Sequence, residues 1–170
     1  MTRRSRKTSP EKKQSPAFLL SQVGAHSAAV FATLLAPHKL APAHAGIIGM
    51  LGRTGGLSQR QLAAAVKVHP SKLVAILDEL EERGLVERQS HSTDRRLHAL
   101  HLTTRGQAMF AKLKGIAQEH RKEICAGLSD EESAQLTELL QRIADRQGLK
   151  PGVHPGYRWL GRKSATKINK

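Results

Sequence analysis

Apolar side chains recur along this chain at helical spacing in most places and at alternating spacing in one. Leu19, Val23, Val30 and Leu34 are separated by four, seven and four positions, and Phe18, Phe31 and Leu35 widen the stripe; this predicts a helix over 17–36, stopped at Pro37 because a residue before proline is biased out of the α region. A second helix is predicted from Pro42 through Ile47, Ile48, Met50 and Leu51 to the Gly55-Gly56 pair. Gly46, Gly49 and Gly52 weaken it by about 1 kcal/mol each relative to Ala, so it has to be held by packing against another helix. Ser58-Gln59-Arg60-Gln61 has capping-box spacing, with Leu57 and Leu62 as a staple, and opens a short helix to about Val66. After Val66-Lys67-Val68-His69, Pro70 starts a helix whose apolar face is Leu73, Ile76, Leu77 and Leu80 and which ends at Gly84, a left-handed cap with Leu85 folding back on Leu80.

The period then changes. Leu85–Arg88 and Leu97–Leu102 read as two strands, with His98, Leu100 and Leu102 on one face, joined by the polar run Ser90–Arg96. Thr104-Arg105-Gly106-Gln107 and Ser129-Asp130-Glu131-Glu132 have capping-box spacing and open a long helix to about Ala126 and a final one to about Arg146. The predicted fold is mainly α with a small two- to three-stranded wing: a winged helix-turn-helix lobe at about 57–104 and helical dimerisation segments at about 17–36 and 104–147, within one domain over 17–147. Two short helices joined by about four residues, the second amphipathic, have the shape that enters a major groove about 12 Å wide, and the following hairpin supplies a wing.

Charge sharpens this. The 170 residues hold 28 Lys and Arg against 14 Asp and Glu, a formal +14, which suits a polyanionic partner such as double-stranded DNA. The excess sits at the ends: residues 1–16 carry Arg3, Arg4, Arg6, Lys7, Lys12 and Lys13 against Glu11, and residues 148–170 carry Lys150, Arg158, Arg162, Lys163, Lys167 and Lys170 without an acid. Both ends are expected to be flexible basic tails, the N-terminal one too poor in large apolar groups to order. Arg3-Arg4 followed by Ala17–Ala36 faintly resembles a secretory leader, but Ser21, Gln22, His26 and Ser27 interrupt the apolar run and about a dozen residues separate it from the arginines. No run is expected to reach the roughly 18 apolar residues that a membrane span requires, and Cys125, the single cysteine, cannot form an internal disulfide. A cytoplasmic protein without a membrane partner is expected.

Leu62-Ala63, Leu77-Asp78-Glu79-Leu80-Glu81-Glu82-Arg83-Gly84-Leu85-Val86-Glu87-Arg88, Asp94-Arg95-Arg96 and Leu102-Thr103-Thr104-Arg105-Gly106 together resemble the MarR-type winged helix-turn-helix transcription regulators over about residues 17–146. The resemblance implies a homodimer built by the first and last helices, a repressor relieved by a small-molecule effector, and a pseudo-palindromic operator read in successive major grooves. It places Ser71, Lys72, Val74 and Ala75 toward the groove, with Ser58 and Arg60 on the preceding helix, and Arg95 and Arg96 on the wing with Asp94 orienting the latter. It also turns His26 and His44 toward an effector pocket, although packed core histidines are commoner. Val74 and Ala75 stand where such proteins carry Thr or Ser and then a basic residue, which suggests apolar contact with thymine methyl groups backed by phosphate contacts.

The remaining residues carry no chemistry of their own. Asp78, Glu79, Glu81 and Glu82 read as a solvated helix face, Cys125 among Ile124, Ala126 and Leu128 as a small hydrophobe, and no His-x-x-x-His pair, Gly-rich phosphate loop or nucleophile elbow occurs. No catalytic residue, metal or cofactor is expected. The rival readings are an architectural or nonspecific DNA-binding protein, favoured by the tails and the plain Val74-Ala75 face, and a protein-interaction module that lost DNA binding.

Overall fold

The computed structural model describes residues 14–90 and 98–154, and the expectations on residues 1–13 and 155–170 of the two tails and on Asp94, Arg95 and Arg96 lie outside the described residues. Helices α1 (Pro16–Leu35), α2 (Pro42–Thr54), α3 (Gln59–Val66), α4 (Pro70–Glu82), α5 (Thr104–Ile124) and α6 (Asp130–Arg146) are joined by a 3-10 turn at Ala36–His38 and by strands β1 (Leu57–Ser58), β2 (Val86–Ser90) and β3 (His98–Leu102). The three strands are antiparallel in the order β1-β3-β2, with Val86 opposite Leu102 and Leu57 opposite Leu100. Six helices around a small antiparallel sheet are the winged helix arrangement read from the sequence.

The core lies under the winged lobe. Leu35, Ile48, Leu62, Leu73, Leu77 and Leu80 are fully buried and meet Leu85 and Leu100 from the sheet. Gly84 adopts φ 62° and the Leu85 N–H donates to the Leu80 carbonyl at 2.9 Å, the left-handed stop that turns the chain from α4 into β2. Of the three glycines in α2, Gly52 is explained by α5: a Cβ there would lie 2.6 Å from the Phe110 ring, so the two helices approach as close neighbours.

Two expectations need correction. The cap of α5 is Thr103, one residue before the spacing indicated: its Oγ1 accepts from Gly106 N–H at 3.0 Å and donates to the Gly84 carbonyl at 2.6 Å. The anchor to Gly84, nineteen residues back, decides which threonine caps. The other concerns α1. With its 3-10 extension, Pro16–His38 has a mean hydropathy of 1.5 and is long and apolar enough to cross a membrane by length and composition; Ala, Val and Leu outweigh the few polar interruptions when hydropathy is averaged. Its C-terminal half packs on the core through Phe31, Leu34 and Leu35, and His120 on α5 holds it through Ser27, with Nε2 at 2.9 Å from the Ser27 carbonyl and 3.1 Å from its hydroxyl. Phe18, Leu19, Leu20 and Val23 in the N-terminal half remain exposed, as do Leu136, Leu139, Leu140 and Ile143 on α6.

Candidate nucleic-acid interface

The sequence puts an unusual cap on α4. Pro70 occupies the first helical position, where its missing N–H is no loss, and His69 precedes it: the imidazole Nδ1 accepts from Ser71 N–H at 3.4 Å and lies 2.8 Å from Ser71 Oγ. With Leu73, Leu77 and Leu80 turned into the core, Ser71, Val74 and Ala75 are exposed on the opposite side and Lys72 is half-buried. Arg60 is exposed on α3, at the edge of a groove of about 590 Å³ lined by Gln59, Ala63, Ala64, Val68 and Pro70. Ser58 is committed elsewhere: its hydroxyl accepts from Gln61 N–H at 3.2 Å and donates to Gln61 Oε1 at 2.8 Å, while Gln61 Oε1 also accepts from Ser58 N–H at 2.8 Å. The capping box read from the sequence is thus formed, and it uses the serine hydroxyl.

The C-terminal half of α4 is tied to other elements through acids that remain partly in water, Glu79 more than half and Asp78 about half exposed. The Arg88 guanidinium on β2 reaches Asp78 Oδ1 at 3.0 Å and Glu81 Oε2 at 2.7 Å. His44 on α2 accepts from Ala41 N–H through Nδ1 at 3.0 Å, so Nε2 carries the proton and donates to Glu79 Oε2 at 2.9 Å. Arg83 donates to the Lys39 and His38 carbonyls at 2.8 and 2.9 Å. Of the acids expected on a solvated face, Asp78, Glu79 and Glu81 are therefore tertiary ties, and together with Arg83 they link the recognition helix to the wing and to the α1–α2 connection.

His44 is buried with both ring nitrogens engaged, and His26 is exposed on α1. Neither lines the cavity of about 240 Å³ between α1, α2 and α5, which is bordered by Phe31, Gly49, Arg53, Phe110 and Lys114. Lys114 Nζ sits 4.8 Å from the centre of the Phe110 ring. Among the described residues neither Arg53 nor Lys114 has a carboxylate partner. Cys125 caps α5 and is half-buried, facing a cleft between α5 and α6 with Arg121, Lys122 and Leu128.

A family model described as MarR family matches residues 38–97. A protein of Thauera aromatica, assigned as a transcriptional regulatory protein for the hcr operon, is 33% identical over 111 residues that span 65% of this chain and 67% of its own. The chain belongs to the MarR family. A MarR-family transcriptional regulator from Rhodococcus sp. RHA1 is 31% identical, with a TM-score of 0.63 over 75% of this chain and 91% of that one. The same fold is present in a cysteine-to-serine mutant of MarR from E. coli complexed with operator DNA, 23% identical with a TM-score of 0.64 over 75% of this chain and 91% of that one. This MarR-family chain is therefore a transcription regulator with a DNA-binding fold, in a family of regulators and not of enzymes.

Its sequence hid several members of the interface. His69 is legible in principle, as a polar residue directly before a first-turn proline. The partners of Arg83 and Arg88, and the Glu79 partner of His44, lie between 7 and 45 positions away, and no local pattern connects them.

Proposed function

We propose that this regulator is a homodimeric, ligand-responsive repressor that binds a pseudo-palindromic operator in the cytoplasm. The observation that carries the DNA reading is α4 itself, whose N-terminal end is open to solvent while its C-terminal end is fixed at Asp78, Glu79, Glu81 and Arg83. A helix held at one end and free at the other presents its first turns to base edges in a defined orientation. Ser71 and Lys72 offer hydrogen bonds, Val74 and Ala75 apolar contact with thymine methyl groups. Arg95 and Arg96, assigned to the wing by the family resemblance with Asp94 as the partner of Arg96, and Arg60 near the start of α3 supply contacts to the DNA backbone, while Ser58, whose N–H and hydroxyl are both engaged with Gln61, contributes by capping α3.

The dimer reading is supported by the two exposed apolar faces on α1 and α6, which belong to elements outside the winged lobe. Dimers of this kind set half-sites one helical turn, about 34 Å, apart. The ligand reading is supported by the cavity between α1, α2 and α5, where Arg53 and Lys114 flank two phenyl rings beside the helix that carries His44. A ligand there acts by favouring one spacing of the two lobes over another, which requires a difference in affinity between the two.

The test is DNase protection on genomic fragments selected by the protein, alongside sedimentation. A short protected footprint with two-fold symmetry and a dimer mass support the reading; a specific-to-nonspecific affinity ratio near one would establish the architectural alternative instead. Within a footprint, Lys72→Ala should change the preferred bases, whereas Arg96→Ala should weaken binding on every sequence and flatten its salt dependence.

A further inference from the structure

The start of α4 satisfies its last open N–H with a side chain that also takes up a hydroxyl proton. Pro70 has no N–H, and the Lys72 and Leu73 N–H groups both donate to the His69 carbonyl, at 3.0 and 3.1 Å. That leaves Ser71 N–H, which donates to His69 Nδ1 at 3.4 Å. An N–H can only donate, so Nδ1 carries no proton and the ring holds its proton on Nε2. Ser71 Oγ lies 2.8 Å from the same Nδ1, and between an oxygen with a proton and a nitrogen without one the hydroxyl is the donor.

The pair is held from behind. His69 is extended, at φ −60° and ψ 136°; Val68 before it and Leu73 in the next turn are buried, and Val68 N–H donates to the Ala63 carbonyl at 3.3 Å. His69 and Ser71 themselves are exposed. A serine hydroxyl has one proton to give and two lone pairs. With the proton committed to His69, Ser71 offers the groove lone pairs only.

A free serine hydroxyl donates or accepts and therefore discriminates bases poorly. One that can only accept does discriminate. In the major groove adenine N6 and cytosine N4 donate, whereas guanine O6 and thymine O4 accept, and an acceptor facing an acceptor leaves both unpaired. Val74 and Ala75 on the same face carry no polar side chain, so hydrogen-bonded readout by this face falls to Ser71 and to Lys72, which only donates.

We propose that His69 is a positioning residue for specificity: by holding the Ser71 proton it makes Ser71 an acceptor-only reader of the exocyclic amino group of adenine or cytosine. This role rests on the DNA-binding reading above and gives one base pair of each half-site to a defined pair of side chains.

The experiment uses the full chain and the duplex site that the wild type selects from genomic fragments, with each base pair of one half-site changed in turn. Ser71→Ala should erase the discrimination at one base pair and leave the others as in the wild type. At that pair, replacing the exocyclic amino group by hydrogen should weaken wild-type binding on the order of tenfold and leave Ser71→Ala unaffected. Removing the keto oxygen of the opposite base should leave the difference between wild type and Ser71→Ala unchanged. Exchanging the two bases between strands should cost the wild type a similar factor and His69→Ala much less, because the freed hydroxyl turns to donate. His69→Ala with Ser71→Ala should match Ser71→Ala alone at this pair, and His69→Asn, which restores an acceptor at the cap, should restore the discrimination. Thermal melting confirms that each variant is folded.

A His69→Ala variant that binds every sequence more weakly with its preferences intact would overturn the role, leaving His69 as a cap or a phosphate contact. So would a change of preference on His69→Ala that persists when Ser71 is already Ala, since the imidazole would then read the base itself. Sensitivity to the keto oxygen in place of the amino group, no base pair affected by Ser71→Ala, or an asparagine variant as relaxed as His69→Ala would overturn it too. Failure of the wild type to select any fragment would instead sink the DNA-binding reading.

Discussion

Gly106 is the residue on which the wing and the long helix meet. A Cβ at this position would run into the Leu85 carbonyl oxygen, the same carbonyl that accepts from Thr103 N–H. Gly106→Ala has to push α5 away from the α4–β2 turn, and overpacking of this sort costs about 1–3 kcal/mol or more; denaturant unfolding should show a lower midpoint with an unchanged slope. Ser129 is a second single-residue determinant. Its Oγ accepts from Glu132 N–H at 3.2 Å and donates to Glu131 Oε2 at 2.9 Å. The Glu131 carboxyl is held below its ordinary value of 4.5 by a backbone hydrogen bond first and by Ser129 second. A carboxylate whose pKa is depressed in the folded state adds stability above its unfolded pKa and loses it as pH falls through the lowered value. Ser129→Ala should cost about 1 kcal/mol through the missing cap, and part of the difference between the two melting curves should vanish in acid.

At the scale of elements, the recognition helix is positioned by groups that do not touch its exposed face. Arg88 is one-third exposed, and exposed ion pairs add only about 0.2–1 kcal/mol to stability. Its two carboxylates nonetheless join β2 to α4, so Arg88→Ala should weaken DNA binding by more than its loss of stability accounts for. Comparing binding isotherms with unfolding curves checks this, and proportionate losses would mean that strand pairing alone holds the wing. The helix boundaries and the caps at Ser58 and Ser129 are legible from local spacing, since capping and periodicity are contained within a few residues. The acids of α4 are illegible for the complementary reason. Asp78, Glu79 and Glu81 look like any polar helix face until Arg88 and His44 arrive from other elements.

At the scale of the whole molecule, two helices carry more apolar surface than a lone chain should leave in water. Leu136, Leu139, Leu140 and Ile143 are each more than a third exposed along α6, and Phe18, Leu19, Leu20 and Val23 along α1; contiguous patches of this kind mark association surfaces. Leu139→Asp with Ile143→Asp should convert a dimer into a monomer in sedimentation and lower operator affinity by orders of magnitude, since a single lobe meets only one half-site. The same apolar content makes α1 pass as a membrane-length segment on averaged hydropathy, although His120 and the core hold its other half.

Periodicity, caps and the four family motifs are enough by themselves to determine a winged helix-turn-helix with flanking helices, because these signals depend on neighbours within a turn or a strand. Only the tertiary structure decided that Thr103 caps α5, that His44 serves Glu79 rather than the cavity, and that the chain after α6 returns to the lobe beside Lys67. Each depends on groups far apart in sequence brought to within a few ångströms, and packing, not local preference, selects which partners meet.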